Sequence, residues 1–166
     1  MKKISIHKAL PEYAYDYTAC SVAIWQAAYR GIVPDEYLDG MTAKIRERAY
    51  ELEKELASPS DCEHYCVMES DKIIGFIVIN KSWEVNIWAI YLLEEFWGRG
   101  YGKQMLDFAI EELRSAGVKE VSLWVFEENS RARRFYEKNG FSLDGAKRVR
   151  DKYGGVPLTE LKYVQK

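Results

Sequence analysis

The sequence predicts a mixed α/β domain, and three observations support this prediction. The segment 87–93 is continuously apolar, which is typical of a strand buried on both faces. A glycine-rich turn at 96–103 follows it, and apolar residues then recur at helical spacing from 105 to 116. Strand candidates lie before and after this unit, so we expect the strand–helix–strand crossover over 87–126 to be parallel and right-handed.

Length and composition favour one globular domain over residues 1–166. The chain is 48% hydrophobic and 30% charged, which excludes a disordered chain and allows a proper core. The net charge of −2 gives no reason to expect a nucleic-acid partner. No apolar run approaches the roughly 20 residues of a membrane span, there is no secretory signal, and three cysteines suit a reducing compartment. We therefore expect a cytoplasmic protein with no membrane partner.

The first sixty residues predict one strand and three helices. An alternating segment at 3–7 indicates the strand. Apolar positions from 13 to 29 recur at helical intervals, and Gly31 and Pro34 end that helix and allow a short helical restart. A third helix is expected over 42–57, with its first residue, a threonine, as the cap. Because this segment is charged on most faces, we interpret it as a solvated helix.

The rest of the chain predicts strands separated by one long and one short helix. The strand candidates span 62–68, 72–80, 120–126, 141–143 and 156–164. The first two are joined by a hairpin connection at 69–71. The short helix ends at Asn139-Gly140, and a polar stretch at 144–155 is expected to separate the last two strands.

Cys62, His64 and Cys66 would share one face of a strand, and a metal site can begin with this spacing. A zinc site usually needs a fourth ligand, and His7 is the only other histidine. We interpret the three residues as buried or half-buried strand positions and expect no metal.

The glycine-rich turn indicates an anion site. Gly98, Gly100 and Gly102 leave backbone amides unshielded by side chains where a helix begins. The P-loop does not match, because it needs a glycine where Trp97 stands and a serine or threonine where Gln104 stands. The dinucleotide fingerprint Gly-x-Gly-x-x-Gly lacks its last glycine in both registers. ATP and NAD binding therefore have no local support.

The same turn resembles the acyl-CoA-binding motif of the GNAT acetyltransferase superfamily, Gln/Arg-x-x-Gly-x-Gly/Ala, which opens a helix after a buried strand. Gly100 and Gly102 match its glycines, and Arg99 and Lys103 resemble the basic residues around them. Trp97 is a departure, because the family usually has Gln or Arg there. Since the family contacts phosphate mostly through backbone amides, we expect pyrophosphate binding to persist.

A second segment, further along the chain, resembles the family's other signature. Asn129 is followed by Ala132, then by Tyr136 and then by Gly140-Phe141, all at the family's spacing. The order of elements agrees as well, with helices before the central strand and this segment after it.

The resemblance implies a single-domain GNAT-like fold and acetyl-CoA as the co-substrate. The implied fold is a twisted, mixed but mostly antiparallel sheet of about seven strands with flanking helices, and its parallel pair is splayed at the CoA site. The residues implied to bind the coenzyme are Ile90, Tyr91, Leu92, Gly98, Arg99, Gly100, Tyr101, Gly102, Lys103 and Asn129. The turn would hold the pyrophosphate, and the strand would offer backbone groups to the pantetheine arm and the thioester carbonyl.

Two catalytic residues are expected. By resemblance, Tyr136 lies beside the coenzyme sulfur, where it can protonate the departing thiolate. An acceptor amine with a pKa of about 10.4 is almost fully protonated at neutral pH, so a carboxylate is expected to help remove its proton. Glu84, just before the central strand, is the first candidate for this base, and Glu127 is the second.

These features imply an N-acetyltransferase that acts on a primary amine of a small molecule or peptide, as a monomer or homodimer. Because no general base is unmistakable, an acyl-CoA-binding regulatory module without transfer is the alternative. A longer acyl donor also fits. The aromatic residues near the family's acceptor pocket are Trp25, Tyr29, Tyr37, Trp83 and Trp88. They are either core residues or, where two or three line the pocket, suited to an amine on an apolar or cationic body.

Overall fold

Seven strands form one sheet, with five α-helices on its two faces, in a computed structural model that describes residues 3–166. The strands are β1 (Ile4–Lys8), β2 (Cys62–Glu69), β3 (Lys72–Asn80), β4 (Ile87–Leu92), β5 (Val121–Phe126), β6 (Ser142–Arg150) and β7 (Leu158–Gln165). The helices are α1 (Ala14–Ala28), α2 (Asp35–Gly40), α3 (Ile45–Leu56), α4 (Tyr101–Ser115) and α5 (Ser130–Lys138).

The strands follow the order β1-β2-β3-β4-β5-β7-β6 across the sheet. Every neighbouring pair is antiparallel except β4 and β5, which confirms the predicted mixed sheet and its parallel crossover. β4 and β5 are in register only at Ile87 and Leu123. Just before this position, the Asn86 N–H donates to the carbonyl of Ser122 at 3.1 Å. Beyond it the two strands diverge.

Helices α4 and α1 cover opposite faces of the sheet. The helical spacing predicted for α4 is confirmed, because one stripe of its residues is fully buried in the main core. That stripe consists of Met105, Leu106, Ala109 and Leu113. On the other face, Tyr17 and Ile24 of α1 pack against Phe76 and Val78 of β3.

The middle of β4 is more open than its sequence predicts. Ile87 and Leu92 at its ends are buried, whereas Trp88 is 49% exposed and the residues 89–91 are half-buried. The expectation that this strand is buried on both faces is therefore wrong. The physical reason is the divergence of β5, which leaves one edge of β4 without a neighbouring strand.

Strand β6 also differs from the prediction. Residues 144–150 are not a polar connection but continue the strand, with Arg148 paired to Glu160 and Arg150 paired to Leu158 of β7. Most of β6 is exposed, since it is the edge strand of the sheet, so its residues show no apolar alternation. Pairing with an apolar neighbour can hold such a strand in place without any signal in its own composition.

Helix α3 begins later than predicted. A short 3₁₀ turn at Thr42–Lys44 precedes it, and the Thr42 side chain makes no capping hydrogen bond. Ala49 is the one buried residue of this helix, which agrees with its interpretation as a solvated element.

Gly75 of β3 allows β4 to approach closely. A Cβ atom at this position would lie 2.4 Å from the carbonyl oxygen of Tyr91. Because this neighbour is backbone, the two strands would have to separate to accept any side chain.

We predict that Gly75→Ala destabilises the protein, because overpacking a sheet core costs about 1–3 kcal/mol. The melting temperature should fall by about 2–4 °C for each kcal/mol lost. Gly40→Ala is the matched control, since a Cβ there meets nothing within 4 Å and its melting temperature should not fall. An unchanged melting temperature for Gly75→Ala would contradict the close approach.

Candidate active site

The divergence of β4 from β5 opens a cleft of about 1510 Å³. It is lined by residues of β4, of the glycine-rich turn, of α5 and of α1. This volume exceeds the 300–1,000 Å³ usual for a small-ligand pocket, so the cleft has room for an extended ligand.

The glycine-rich turn presents backbone amides to the cleft. Gly98 and Gly100 have φ angles of 74° and 80°, a left-handed conformation that favours glycine. Gly100 precedes α4 and provides no side-chain cap, and a Cβ at either glycine would meet no atom within 4 Å. The first N–H groups of a helix have no intrahelical acceptor and lie at the positive end of its dipole. This geometry fits an anionic phosphate group.

The residues predicted in this turn separate into two groups. Gly98, Gly100, Gly102 and Lys103 line the cleft, whereas the side chains of Arg99 and Tyr101 do not. Arg99 donates from Nη2 to the carbonyl of Glu95 at 2.9 Å. The Tyr101 hydroxyl donates to Glu69 Oε1 at 2.8 Å, on a side chain that is fully buried.

Trp97 makes a contact that its sequence position does not predict. Its indole Nε1–H donates to the carbonyl of Leu92 at 2.8 Å, which ties the turn to the end of β4. The guanidinium of Arg131 lies over the Trp97 ring, 3.1 Å from its centroid, and Arg131 also lines the cleft. Burial lowers the pKa of Arg131 from its ordinary value. No sequence motif marks Arg131, because its contact with Trp97 joins segments that lie far apart in the chain.

The other predicted coenzyme residues also line the cleft. Ile90, Tyr91 and Leu92 lie along its β4 wall. Asn129 accepts a hydrogen bond at Oδ1 from the N–H of Ala132 at 3.1 Å and so caps α5. Its Nδ2 group has no hydrogen-bond partner within residues 3–166, so it is available to a ligand.

Tyr136 of α5 lies in the wall of the cleft and is 8% exposed. Burial, with a smaller contribution from Tyr91, raises the pKa of Tyr136 above its ordinary value. The hydroxyl therefore keeps its proton at neutral pH. In the described part of the chain this hydroxyl has no hydrogen-bond partner, so it can donate to a ligand.

A pair of tyrosines and several other rings form one side of the cleft. The hydroxyls of Tyr29 and Tyr91 are 2.6 Å apart, and burial raises the pKa of Tyr91 to about 12. Trp25 and Tyr29, two of the aromatic residues singled out in the sequence, line this side. Trp83 and Trp88 line the mouth of the cleft, where they are 54% and 49% exposed. The fifth of these aromatic residues, Tyr37, does not line the cleft.

The two carboxylates proposed as bases occupy different places. Glu84 lines the cleft at its edge, with a side chain that is 87% exposed and an Oε1 atom 3.0 Å from Lys162 Nζ. Glu127 is not among the lining residues, and its carboxylate pairs with Lys147 at 3.2 Å. The structure therefore brings Glu84, but not Glu127, into the cleft with Tyr136.

The polar residues of β2 have partners of their own. His64 lies 3.0 Å from Glu55 Oε1 through Nε2 and 3.1 Å from the Tyr17 hydroxyl through Nδ1. Within residues 3–166, no group of three or more His, Cys, Asp or Glu side chains is placed to hold a metal ion. In the same range, no helix has both the length and the apolar character needed to cross a membrane.

Comparison with known proteins decides the family. The model of the acetyltransferase (GNAT) family matches residues 24–141, which is more than half of the chain. The chain belongs to the GNAT acetyltransferase family. The match and the fold together confirm the family that the sequence motifs predict.

The similar proteins include N-acetyltransferases with different acceptors in their names. The spermidine N(1)-acetyltransferase of Thermoplasma acidophilum is 31% identical over 149 residues, covering 84% of each chain. The ribosomal protein bS18 alanine N-acetyltransferase of Haemophilus influenzae is 38% identical over 77 residues, covering 46% of this chain and 52% of that protein. The crystal structure of PaiA N-acetyltransferase from Thermoplasma acidophilum in complex with coenzyme A has a TM-score of 0.77 at 26% identity, covering 99% of each chain.

Proposed function

We propose that this GNAT protein transfers the acetyl group of acetyl-CoA to a primary amine of a small molecule or peptide by direct attack on the thioester. The observation that carries the proposal is that one cleft joins the amide-lined turn before α4, the open edge of β4 and the Tyr136 hydroxyl on α5. The similar structure in complex with coenzyme A supports acetyl-CoA as the donor.

In this proposal the turn before α4 and the residues of α5 bind the pyrophosphate and the pantetheine arm of the donor. The pyrophosphate would accept hydrogen bonds from the amides of the turn 98–103, where a side chain at Gly98 or Gly100 would add strain. Arg131, whose guanidinium lies over the Trp97 ring, would supply a cation from α5 in addition to Lys103 of the turn. Asn129 would donate from Nδ2 to the pantetheine arm.

The transfer step would need one N–H donor, one proton donor and one base. As the amine attacks, a C–N bond forms, negative charge develops on the carbonyl oxygen, and a β4 N–H in the 90–92 segment stabilises it. The C–S bond then breaks, and Tyr136 donates its proton to the departing thiolate. The raised pKa of Tyr136 keeps this proton in place at neutral pH.

The base in this proposal is Glu84, because it is the candidate that lines the cleft. The relatives described above carry transferase names, which gives the alternative of a binding module without transfer no support.

The transfer itself predicts that the protein releases the CoA thiol from acetyl-CoA only when a primary amine is present.

Tyr136→Phe should lower kcat about 100-fold, the lower end of the range for general acid catalysis, while the Kd for acetyl-CoA measured by calorimetry stays nearly constant. Tyr15→Phe is the matched control, since Tyr15 is 52% exposed and does not line the cleft. Absence of acetyl-CoA binding would refute the function, and unaltered turnover in Tyr136→Phe would remove this residue from the proton-donor role.

The assignment of the base predicts that Glu84→Gln lowers kcat/KM at neutral pH and that the loss shrinks as the pH approaches the amine pKa of about 10.4. At that pH the free amine no longer needs a base. Glu120→Gln, a charge change outside the cleft, is the control, and Glu127→Gln tests the second candidate. Equal rates for Glu84→Gln and wild type across the pH range would assign the proton to another acceptor.

A further inference from the structure

One end of the cleft carries an excess of positive charge. Arg148 and Arg150 of β6 and Lys152 of the following turn line it, together with the carboxylate of Glu160 from β7. We propose that this end binds a carboxylate on the acceptor, so that the acceptor is an amino acid or short peptide rather than a polyamine. The inference rests on the proposed acetyl transfer and names the substrate class that the same cleft takes.

The charges within this cluster do not balance. Glu160 Oε2 is bonded to Arg148 Nε and lies 3.6 Å from Arg150 Nε, so one carboxylate faces two guanidinium groups. Lys152 forms no ion pair with any described residue, and its ammonium lies 4.9 Å from the ring centroid of Tyr153. A polycation would meet net repulsion here, whereas a carboxylate would be attracted.

Arg150 has an unpaired hydrogen-bond donor. Its Nε atom is buried and has no hydrogen-bond partner, because the 3.6 Å separation from Glu160 is too long for a hydrogen bond. A buried donor without an acceptor is costly, and a ligand carboxylate would remove that cost. The Arg150 side chain as a whole is 41% exposed and lines the cleft, so a carboxylate in the cleft can reach its guanidinium, which binds carboxylates in a bidentate way.

Arg148, unlike Arg150, is held by partners within the protein. Its guanidinium is bonded to Glu160 and lies over the ring of Trp124 at 4.3 Å. These two contacts hold it in place beside Arg150. The structure thus has one arginine already neutralised by the protein and one that is left for a ligand.

An aromatic wall connects this cluster to the reacting centre. The ring of Trp25 lies 6.3 Å from that of Tyr91 and 5.1 Å from that of Tyr153. Tyr153 follows Lys152 in a turn that packs closely on the start of α2, where a Cβ on Gly154 would lie 3.0 Å from Pro34. An acceptor with its amine near Tyr91, an apolar body on Trp25 and a carboxylate at Arg150 matches this layout. In such an acceptor the apolar body stands between the amine and the carboxylate, as it does for a side-chain amine of an amino acid or the amino end of a short peptide.

The inference predicts a preference between acceptors that differ only in charge. Dipeptides and ω-amino acids should be acetylated with a kcat/KM about tenfold or more above that of their own carboxamides, because a hydrogen bond to a charged group is lost in each carboxamide. Spermidine should be a poorer acceptor than the carboxylates. Arg150→Gln should bring the carboxylate-to-carboxamide ratio close to one, with Arg150→Lys between the two. Lys147→Gln, which removes the same charge from the same strand outside the cleft, should leave the ratio unchanged.

The outcomes separate the two proposals. Acetylation of amines with equal use of carboxylates and carboxamides, or a preference for spermidine, would overturn the carboxylate site and leave the acetyl transfer standing. Lack of acetyl-CoA binding would overturn the transfer. In that case calorimetric binding of the free dipeptide and its carboxamide, in wild type and Arg150→Gln, still decides the site. Tighter binding of the carboxylate that Arg150→Gln abolishes would support it, and equal binding would refute it.

Discussion

The register between β4 and β5, which are aligned at a single pair of residues, controls the architecture of the site. A central strand normally hydrogen-bonds along both edges, but β4 does so along β3 and meets β5 only at Ile87. Backbone groups on the free edge have to be satisfied by water or a ligand. The same divergence separates the turn before α4 from the start of α5, so the amide-lined turn and the Tyr136 hydroxyl lie on the walls of one opening.

The parts of this fold that depend on local sequence are the parts that the sequence predicts well. The spacing of apolar residues in α4, the glycines of the turn and the order of strands around 87–126 are local signals, and the structure agrees with them. The openness of β4 and the length of β6 are not local. β4 is uncovered because a strand more than thirty residues later diverges, and β6 is extended because β7 pairs with it. No composition signal within either strand records its partner.

The candidate site shows the same division. Its glycines, Asn129 and Tyr136 follow from motif spacing, whereas the side-chain partners depend on contacts between distant segments. Arg131 stacks on Trp97, and Arg150 faces the cleft beside Glu160, because helices and strands far apart in the chain meet there. The net charge of −2 likewise hides a positive end of the cleft. This local charge is what distinguishes the proposed acceptor from the spermidine named for one relative.

Hydrogen–deuterium exchange with and without CoA would show whether the opening between β4 and β5 binds the donor, because it reports on the backbone amides of the open edge. We predict slower exchange in β4 and in the turn 98–103 when CoA is added. Exchange in β1, at the far edge of the sheet, should not change. If CoA binds and neither β4 nor the turn gains protection, the opening between β4 and β5 is not the donor site.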